Sequence, residues 1–241
     1  MKERKHIMSQ KNLQKDRSRY FRQTDTLRLV GGALAIIGIA WYYFGYSYAS
    51  YIIPTIITPI GVVLFILGSC RHIGDNDMDE EIQRLLLDYD QSVTSRADFS
   101  RLVLKHPSDV QTQAYVMQHP AQYFKRGKNS KPMSDICIKS HFFFTKDALL
   151  VCMRQLNLAQ DPTDGGVSDN ELALAFASIV KAEILEEIVE ITFTNTKKKE
   201  KIRQYELVIW GEDGELLRLP VQNDMDTTVL CEDINKIIKQ C

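Results

Sequence analysis

Charged residues are missing from one long stretch of this 241-residue chain. The segment from Leu29 to Cys70 is 42 residues long and contains no Asp, Glu, Lys or Arg. Apolar runs in soluble proteins are shorter, about 10 to 14 residues, whereas a helix that crosses a bilayer needs roughly 20. The segment is therefore long enough for two spans. A cleaved signal peptide does not fit, because its apolar region is only about 7 to 15 residues long.

The middle of the uncharged segment predicts where the chain turns. The residues from Gly45 to Tyr51 read GYSYASY, which is small, polar and aromatic. Tyrosine collects at the membrane–water interface, so an interface at the midpoint predicts a transmembrane hairpin over 29–70. Its helices are expected near 28–47 and 51–70. Small residues give the first helix a smooth face that a second helix can approach closely; they are Gly31, Gly32, Ala35 and Gly38.

Charge on either side of the hairpin predicts its orientation. Residues 1–28 carry nine Lys or Arg and three Asp or Glu, whereas the stretch between the two helices carries none. The positive-inside rule then places both termini in the cytoplasm and makes the protein a multi-pass protein of the plasma (inner) membrane. The basic tail, residues 1–28, either lies against anionic headgroups or is a solvated topology signal.

Signatures of catalysis and metal binding are also missing. The sequence has five cysteines but no CxxC pair, and it has no GxSxG, Walker loop, GxGxxG or HExxH motif. The sequence therefore predicts a protein that is not an enzyme and has no metal site and no cofactor. The part from Arg71 onward is net negative and has no basic stripe with interleaved aromatic residues, which argues against nucleic acid as a partner.

The segment after the hairpin, residues 71–125, is predicted to be a helical adaptor. DMDEEIQRLLLDYDQ has acidic residues at its start and apolar residues at helical spacing. SDVQTQAYVMQ begins with the capping pattern Ser108-x-x-Gln111 and ends before Pro120. A basic linker from Lys125 to Ser134 follows.

From residue 135 the periodicity changes to that of strands. Short apolar runs are separated by turns, and Asp213-Gly214 between two such runs is a strong hairpin signal. Residues 169–182 fit either a strand or a helix capped by Ser168. The last segment is an amphipathic helix whose apolar face comprises Val229, Leu230, Ile234, Ile237 and Ile238.

This order of elements resembles bacterial membrane proteins that join a two-helix hairpin to a cytoplasmic pleckstrin-homology-like (PH-like) domain. The resemblance rests on the hairpin, on FFFTKDALLV (Phe142 to Val151), on GEDGELLRLPV (Gly211 to Val221) and on the last helix. It implies a membrane-anchored α+β protein with a short helical adaptor. Its domain, 135–241, would be a PH-like antiparallel β-barrel closed by the C-terminal helix.

Four lysines in the turn TKKKEK form the candidate binding site, and they are Lys197, Lys198, Lys199 and Lys201. Ammonium groups on a domain tethered to a membrane attract lipid phosphates. The alternative is a turn whose lysines only keep the domain soluble.

Two functions remain open at this point. The first is a non-enzymatic membrane adaptor or scaffold whose PH-like domain binds a protein or lipid. The second is an accessory subunit of a larger membrane complex, packed through the hairpin. The expected partners are the lipid bilayer and a membrane or cytoplasmic protein, and a homo-oligomer is a further option.

Overall fold

Two apolar helices stand at the start of the fold. The computed structural model describes residues 20–21, 26–44, 52–70, 74–95, 110–160 and 165–240. Helix α1 is Thr26–Phe44 and helix α2 is Ile52–Cys70. Both are long and apolar enough to cross a membrane, so the prediction of two apolar helices is confirmed. The tyrosine-rich turn and most of the basic tail lie outside the described residues.

One more helix and nine strands follow before the C-terminal helix in the described part of the chain. Helix α3 is Asp75–Thr94 and helix α4 is Met225–Ile238. The strands are β1 Val110–Tyr115, β2 Phe124–Arg126, β3 Pro132–Ser134, β4 Ile136–Phe144, β5 Ala148–Asn157, β6 Val167–Ala175, β7 Lys181–Thr192, β8 Lys199–Gly211 and β9 Gly214–Val221. All pairings are antiparallel, in a four-stranded sheet β1-β4-β5-β6, a two-stranded sheet β2-β3 and a three-stranded sheet β7-β8-β9.

The main core lies between the four-stranded sheet, the three-stranded sheet and α4. Its fully buried residues include Phe142, Val151, Leu207 and Leu230. Asp224 caps α4, because its side chain accepts a hydrogen bond from the backbone N–H of Thr227. The predicted amphipathic C-terminal helix is therefore confirmed, with Leu230, Ile234 and Ile237 buried and Val229 left 41% exposed.

Helix α3 packs on the outer face of the four-stranded sheet. Its buried stripe is Met78, Ile82, Leu86, Tyr89 and Val93, at the spacing of one helical face. The first part of this stripe meets Cys137 and Leu156, and the last part meets Phe143 and Cys152. Strand β4 is consequently buried on both faces, which explains why consecutive residues at each of its ends, 136–138 and 142–144, are apolar.

Two predictions about residues 71–134 are wrong. Residues 110–115 form a strand that pairs with β4, not the end of a helical adaptor. Thr112 and Ala114 are buried and the residues between and beside them are more exposed, which is the alternation of side chains along a strand. The predicted basic linker is a hairpin, β2-β3, whose residue Lys125 is buried. The β domain therefore starts near Val110 and not at 135.

The strands in the described ranges form open sheets and no closed barrel. Strands β1 and β9 lie beside each other but do not share a ladder of backbone hydrogen bonds. Gln222 Nε2, just after β9, donates to the Gln113 carbonyl of β1 at 2.7 Å, and the backbone N–H of Met117, just after β1, donates to Gln204 Oε1 of β8 at 2.7 Å.

Two turns resolve points that the sequence left open. The predicted hairpin at residues 211–214 is confirmed, with Glu212 and Asp213 as its two loop residues. Gly214 has φ 130°, a value that favours glycine. Residues 167–175 are strand β6, so the strand alternative holds there, and Phe176–Ser178 is a single 3-10 turn.

Candidate membrane-facing site

One end of the β domain holds both chain segments that connect to the apolar helices. Tyr20 precedes α1 by six residues, and Asp75 follows α2 by five. The Tyr20 hydroxyl donates to Asp75 Oδ1 at 2.9 Å, so the two connections are tied together. A residue spans at most about 3.6 Å, so each connection reaches at most about 20 Å. We call this end of the domain the helix-proximal end.

Lys125 of β2 stabilises this junction. Its Nζ lies 3.6 Å from the centre of the Tyr20 ring and 3.8 Å from Asp75 Oδ1. An ammonium group over an aromatic face is attracted by the ring electrons, and more strongly when water is excluded. Burial and the hydrogen bond to Asp75 raise the pKa of Tyr20, so its hydroxyl keeps the proton that it donates to Asp75 beyond the pH at which an exposed tyrosine ionises.

The turn between β7 and β8 also lies at the helix-proximal end. We call residues 193–199 the β7-β8 tip. Phe193 is fully buried, and the backbone N–H of Thr194 donates at 2.7 Å to the carbonyl of Phe124, the neighbour of Lys125. Lys197 has φ 56°, and its N–H donates to the Phe193 carbonyl at 2.8 Å. The tip is thus a defined turn attached to β2.

The four lysines of the candidate site lie on and beside this tip. Lys197 and Lys198 are exposed in the turn itself, and Lys199 is exposed at the first position of β8. Lys201 is exposed one pleat further along β8, opposite Glu190 of β7. The structure therefore brings three of the predicted lysines to one point and places the fourth on the adjoining strand.

Arg126 joins the β7-β8 tip to the turn of the β2-β3 hairpin, residues 127–131, which we call the β2-β3 tip. Its Nη1 donates to the Ser130 carbonyl at 2.6 Å, and its Nη2 pairs with the Glu200 carboxylate. The guanidinium also lies 4.7 Å from the centre of the Phe193 ring. Lys131, at the β2-β3 tip, is exposed. Sequence reasoning missed Arg126 because Glu200 and Phe193 are distant from it in the chain.

The glycines of α1 lie against the backbone of α2, with one exception. A Cβ on Gly31 would lie 2.9 Å from the Gly61 carbonyl oxygen and would also meet the backbone of Phe65. A Cβ on Gly61 would meet the backbone nitrogen of Ala35. A Cβ on Gly38 would be 3.1 Å from the Thr58 nitrogen. Gly32 differs, since its Cβ would meet only the Phe65 ring, at 3.6 Å.

A polar cluster locks α3 to the sheet, and sequence reasoning missed it as well. Asp90 of α3 accepts from Lys139 Nζ at 2.5 Å, and its other oxygen lies 2.9 Å from His141 Nε2. His141 is fully buried and the Lys139 side chain is 11% exposed. Polar residues at positions 139 and 141 of an apolar strand were the available signal, because they face the same side and need a polar partner.

The described residues offer little reactive chemistry. They contain no group of three or more His, Cys, Asp or Glu that could hold a metal ion. Burial raises the pKa of the Cys137 thiol from its ordinary 9.0 to about 12, so it is a neutral core group at physiological pH.

The raised pKa of Cys137 predicts a loss of stability in alkali. The unfolded thiol ionises near pH 9 and the folded one near 12, so its contribution is complete below pH 9 and is lost as the pH rises toward 12. We expect the free energy of unfolding to fall over that interval, by at most about 1.4 kcal/mol per pH unit from this group.

Urea unfolding of the wild type and of Cys137→Ala between pH 7 and 11 measures this contribution. At pH 7 the two proteins should differ by a constant cavity cost, and the difference should shrink as the pH rises. Tyr20, whose pKa burial also raises, is present in both proteins and cancels. Both proteins should carry Tyr115→Phe, because Cys137 contributes to the raised pKa of Tyr115. Parallel curves would contradict the prediction.

Comparison with protein-family models, with curated proteins and with solved structures finds no match for the chain. The class of protein must therefore be argued from the geometry of its own residues.

Proposed function

We propose that this protein is a membrane-anchored, non-enzymatic adaptor. In this proposal α1 and α2 cross the plasma (inner) membrane as a hairpin, and the β domain is a PH-like binding module in the cytoplasm. The observation that carries the proposal is the outward face of the helix pair. Only 11% of each 18-residue apolar window is buried, whereas the core helix of a soluble protein is mostly buried.

The exposed side chains of the pair have the chemistry of a lipid-facing surface. Leu29 is 70% exposed, Ile36 69% and Ile52 63%, and the glycine face between the helices is the part that is covered. An apolar surface of this extent is unfavourable in water. In a bilayer it is favourable, and close contact through small residues holds such helices together.

The arrangement of the β domain supports the PH-like part of the proposal. A four-stranded and a three-stranded antiparallel sheet enclose one core, and the C-terminal helix covers its open side. The β2-β3 hairpin and the docked helix α3 are additions at the helix-proximal end. Because α3 is fixed to the sheet, the domain is held close to the hairpin and not on a free tether.

The proposed topology is testable by labelling from outside the cell. We expect a single Cys at Ser50, in a chain whose native cysteines are replaced, to react with an impermeant thiol reagent in intact cells. The physical reason is the basic tail before α1, which stays on the cytoplasmic side. A single Cys at Lys146, in the β4-β5 loop, is the matched control and should react only after lysis. The reverse pattern would overturn the orientation.

One observation favours the alternative, an accessory subunit of a membrane complex. A groove of about 550 Å³ lies between the helices near the turn of the hairpin, and its lining includes Ile39, Tyr42, Tyr43, Pro54, Thr55 and Pro59. Grooves between helices receive side chains of neighbouring helices in membrane complexes. Purification in a mild detergent separates the two functions, because a stoichiometric membrane partner is expected only for the subunit.

A further inference from the structure

We propose that the two tips at the helix-proximal end form one basic rim that binds the anionic headgroups of the membrane holding the hairpin. The rim consists of Lys131, Lys197, Lys198, Lys199 and Lys201. The inference rests on the proposed function, because it needs α1 and α2 in a bilayer. It goes beyond that function by assigning a ligand class to a defined surface that combines two separate hairpins.

The position of the rim follows from a chain of contacts. The β7-β8 tip is bonded to Phe124, Lys125 beside it contacts Tyr20 and Asp75, and these two residues lead into α1 and out of α2. Each of these connections reaches at most about 20 Å. The rim is therefore at the end of the domain that lies closest to the ends of both spans.

The charge of the rim is local and one-signed. Five exposed lysines lie near two carboxylates: Glu200, which is paired with Arg126, and Glu190, which lies opposite Lys201. No ion pair to the five ammonium groups occurs among the described residues. The domain as a whole is acidic, but charges further than about 8 Å away are largely screened at physiological salt. The electrostatic potential close to the rim is therefore positive, and it attracts an anionic surface.

The two tips are held in a fixed relative position, unlike a pair of solvated loops. Arg126 bonds the Ser130 carbonyl at one tip and the Glu200 carboxylate beside the other, and it packs on the buried Phe193 ring. The guanidinium of Arg126 is thus bonded within the protein, whereas the ammonium groups of the rim are exposed and can contact an external anion. Arg126 acts as a positioning residue, because it sets the spacing between Lys131 and Lys199.

The experiment uses the full chain in nanodiscs of phosphatidylcholine that contain a phosphatidylglycerol with a photoreactive headgroup. Mass spectrometry locates the cross-linked residues. We expect cross-links within residues 127–131 and 194–201, and far fewer with a photoreactive phosphatidylcholine. High salt should lower the yield at both tips, since the attraction is screened.

Replacing all five lysines of the rim by Gln should reduce cross-linking at both tips at least about tenfold. One lysine near an anionic surface changes the binding equilibrium by about fivefold. The matched control is Lys146→Gln, an exposed lysine beyond the other end of β4, which should leave the yield unchanged. Circular dichroism confirms that each variant is folded.

The outcomes distinguish a failure of the rim proposal from a failure of the proposed membrane anchor, the α1-α2 hairpin. Equal yields with both headgroups, or a yield that the five-lysine variant retains, would overturn the rim while leaving the anchor intact. Extraction of the chain from membranes by alkaline carbonate would overturn the anchor. In that case sedimentation with acidic vesicles still tests the rim, and an unchanged pellet for the five-lysine variant would refute it.

Discussion

Replacing Asp90 by Ala should lower the free energy of unfolding of the β domain by about 2 to 3 kcal/mol. The substitution leaves Lys139 and His141 beneath α3 without the carboxylate that both contact. Removing one partner of a buried ion pair costs about 3 to 5 kcal/mol, and the 25% exposure of the Asp90 side chain reduces that figure. Urea unfolding of the full chain in detergent, followed by circular dichroism, measures the change.

The matched control for Asp90 is Glu80→Ala on the same helix. Glu80 is exposed, so its loss should change stability by no more than about 0.5 kcal/mol. Limited proteolysis gives a second measurement, because α3 should be cut faster when it is less firmly attached to the sheet. Equal and small effects of the two substitutions would show that the polar cluster adds nothing to the docking of α3.

Replacing Gly31 by Ala should separate α1 from α2. The added Cβ would meet the backbone of Gly61 and Phe65, and backbone atoms cannot move aside as a side chain can. Overpacking of this kind costs about 1 to 3 kcal/mol. The equilibrium between packed and separated helices can be followed in mixed micelles with increasing SDS, by energy transfer between fluorophores on Leu27→Cys and Leu67→Cys.

The neighbouring residue provides the control for Gly31. A Cβ on Gly32 would touch only the Phe65 ring at an ordinary distance of 3.6 Å. Gly32→Ala should therefore be neutral or stabilising, since Ala is a better helix former than Gly by about 0.8 to 1.0 kcal/mol. If both variants separate at the same SDS fraction, the helices do not pack through the Gly31 face.

The elements that sequence analysis predicted correctly have strong local signals. The apolar helices follow from the absence of charge over Leu29–Cys70, and the last helix follows from its 3.6-residue period. The hairpin at 211–214 follows from a glycine at a position that needs a positive φ. In these segments the residues themselves favour the observed conformation, and packing against neighbouring elements stabilises that same conformation.

The errors fall where partners distant in sequence decide the conformation. The helix-capping pattern Ser108-x-x-Gln111 predicted a helix here, yet residues 110–115 pair along their full length with β4. Pairing with a buried strand outweighs a weak local preference, because β structure depends on its cross-strand neighbours. The β2-β3 hairpin was missed for a similar reason. The charge of Lys125 is typical of an exposed linker, and only the folded structure places this side chain against Tyr20 and Asp75.

By itself, the sequence determined which segments are apolar, which carry charge and where the last helix and the main turns lie. It also singled out four of the five lysines of the rim. Tertiary structure alone decided that α3 covers the sheet, that Asp90 meets Lys139 and His141, and that Arg126 joins two hairpin tips. The physical reason is that apolar periodicity and charge are properties of neighbours along the chain. The proposed rim combines two hairpins through contacts between residues about 70 positions apart, and only folding brings those residues together.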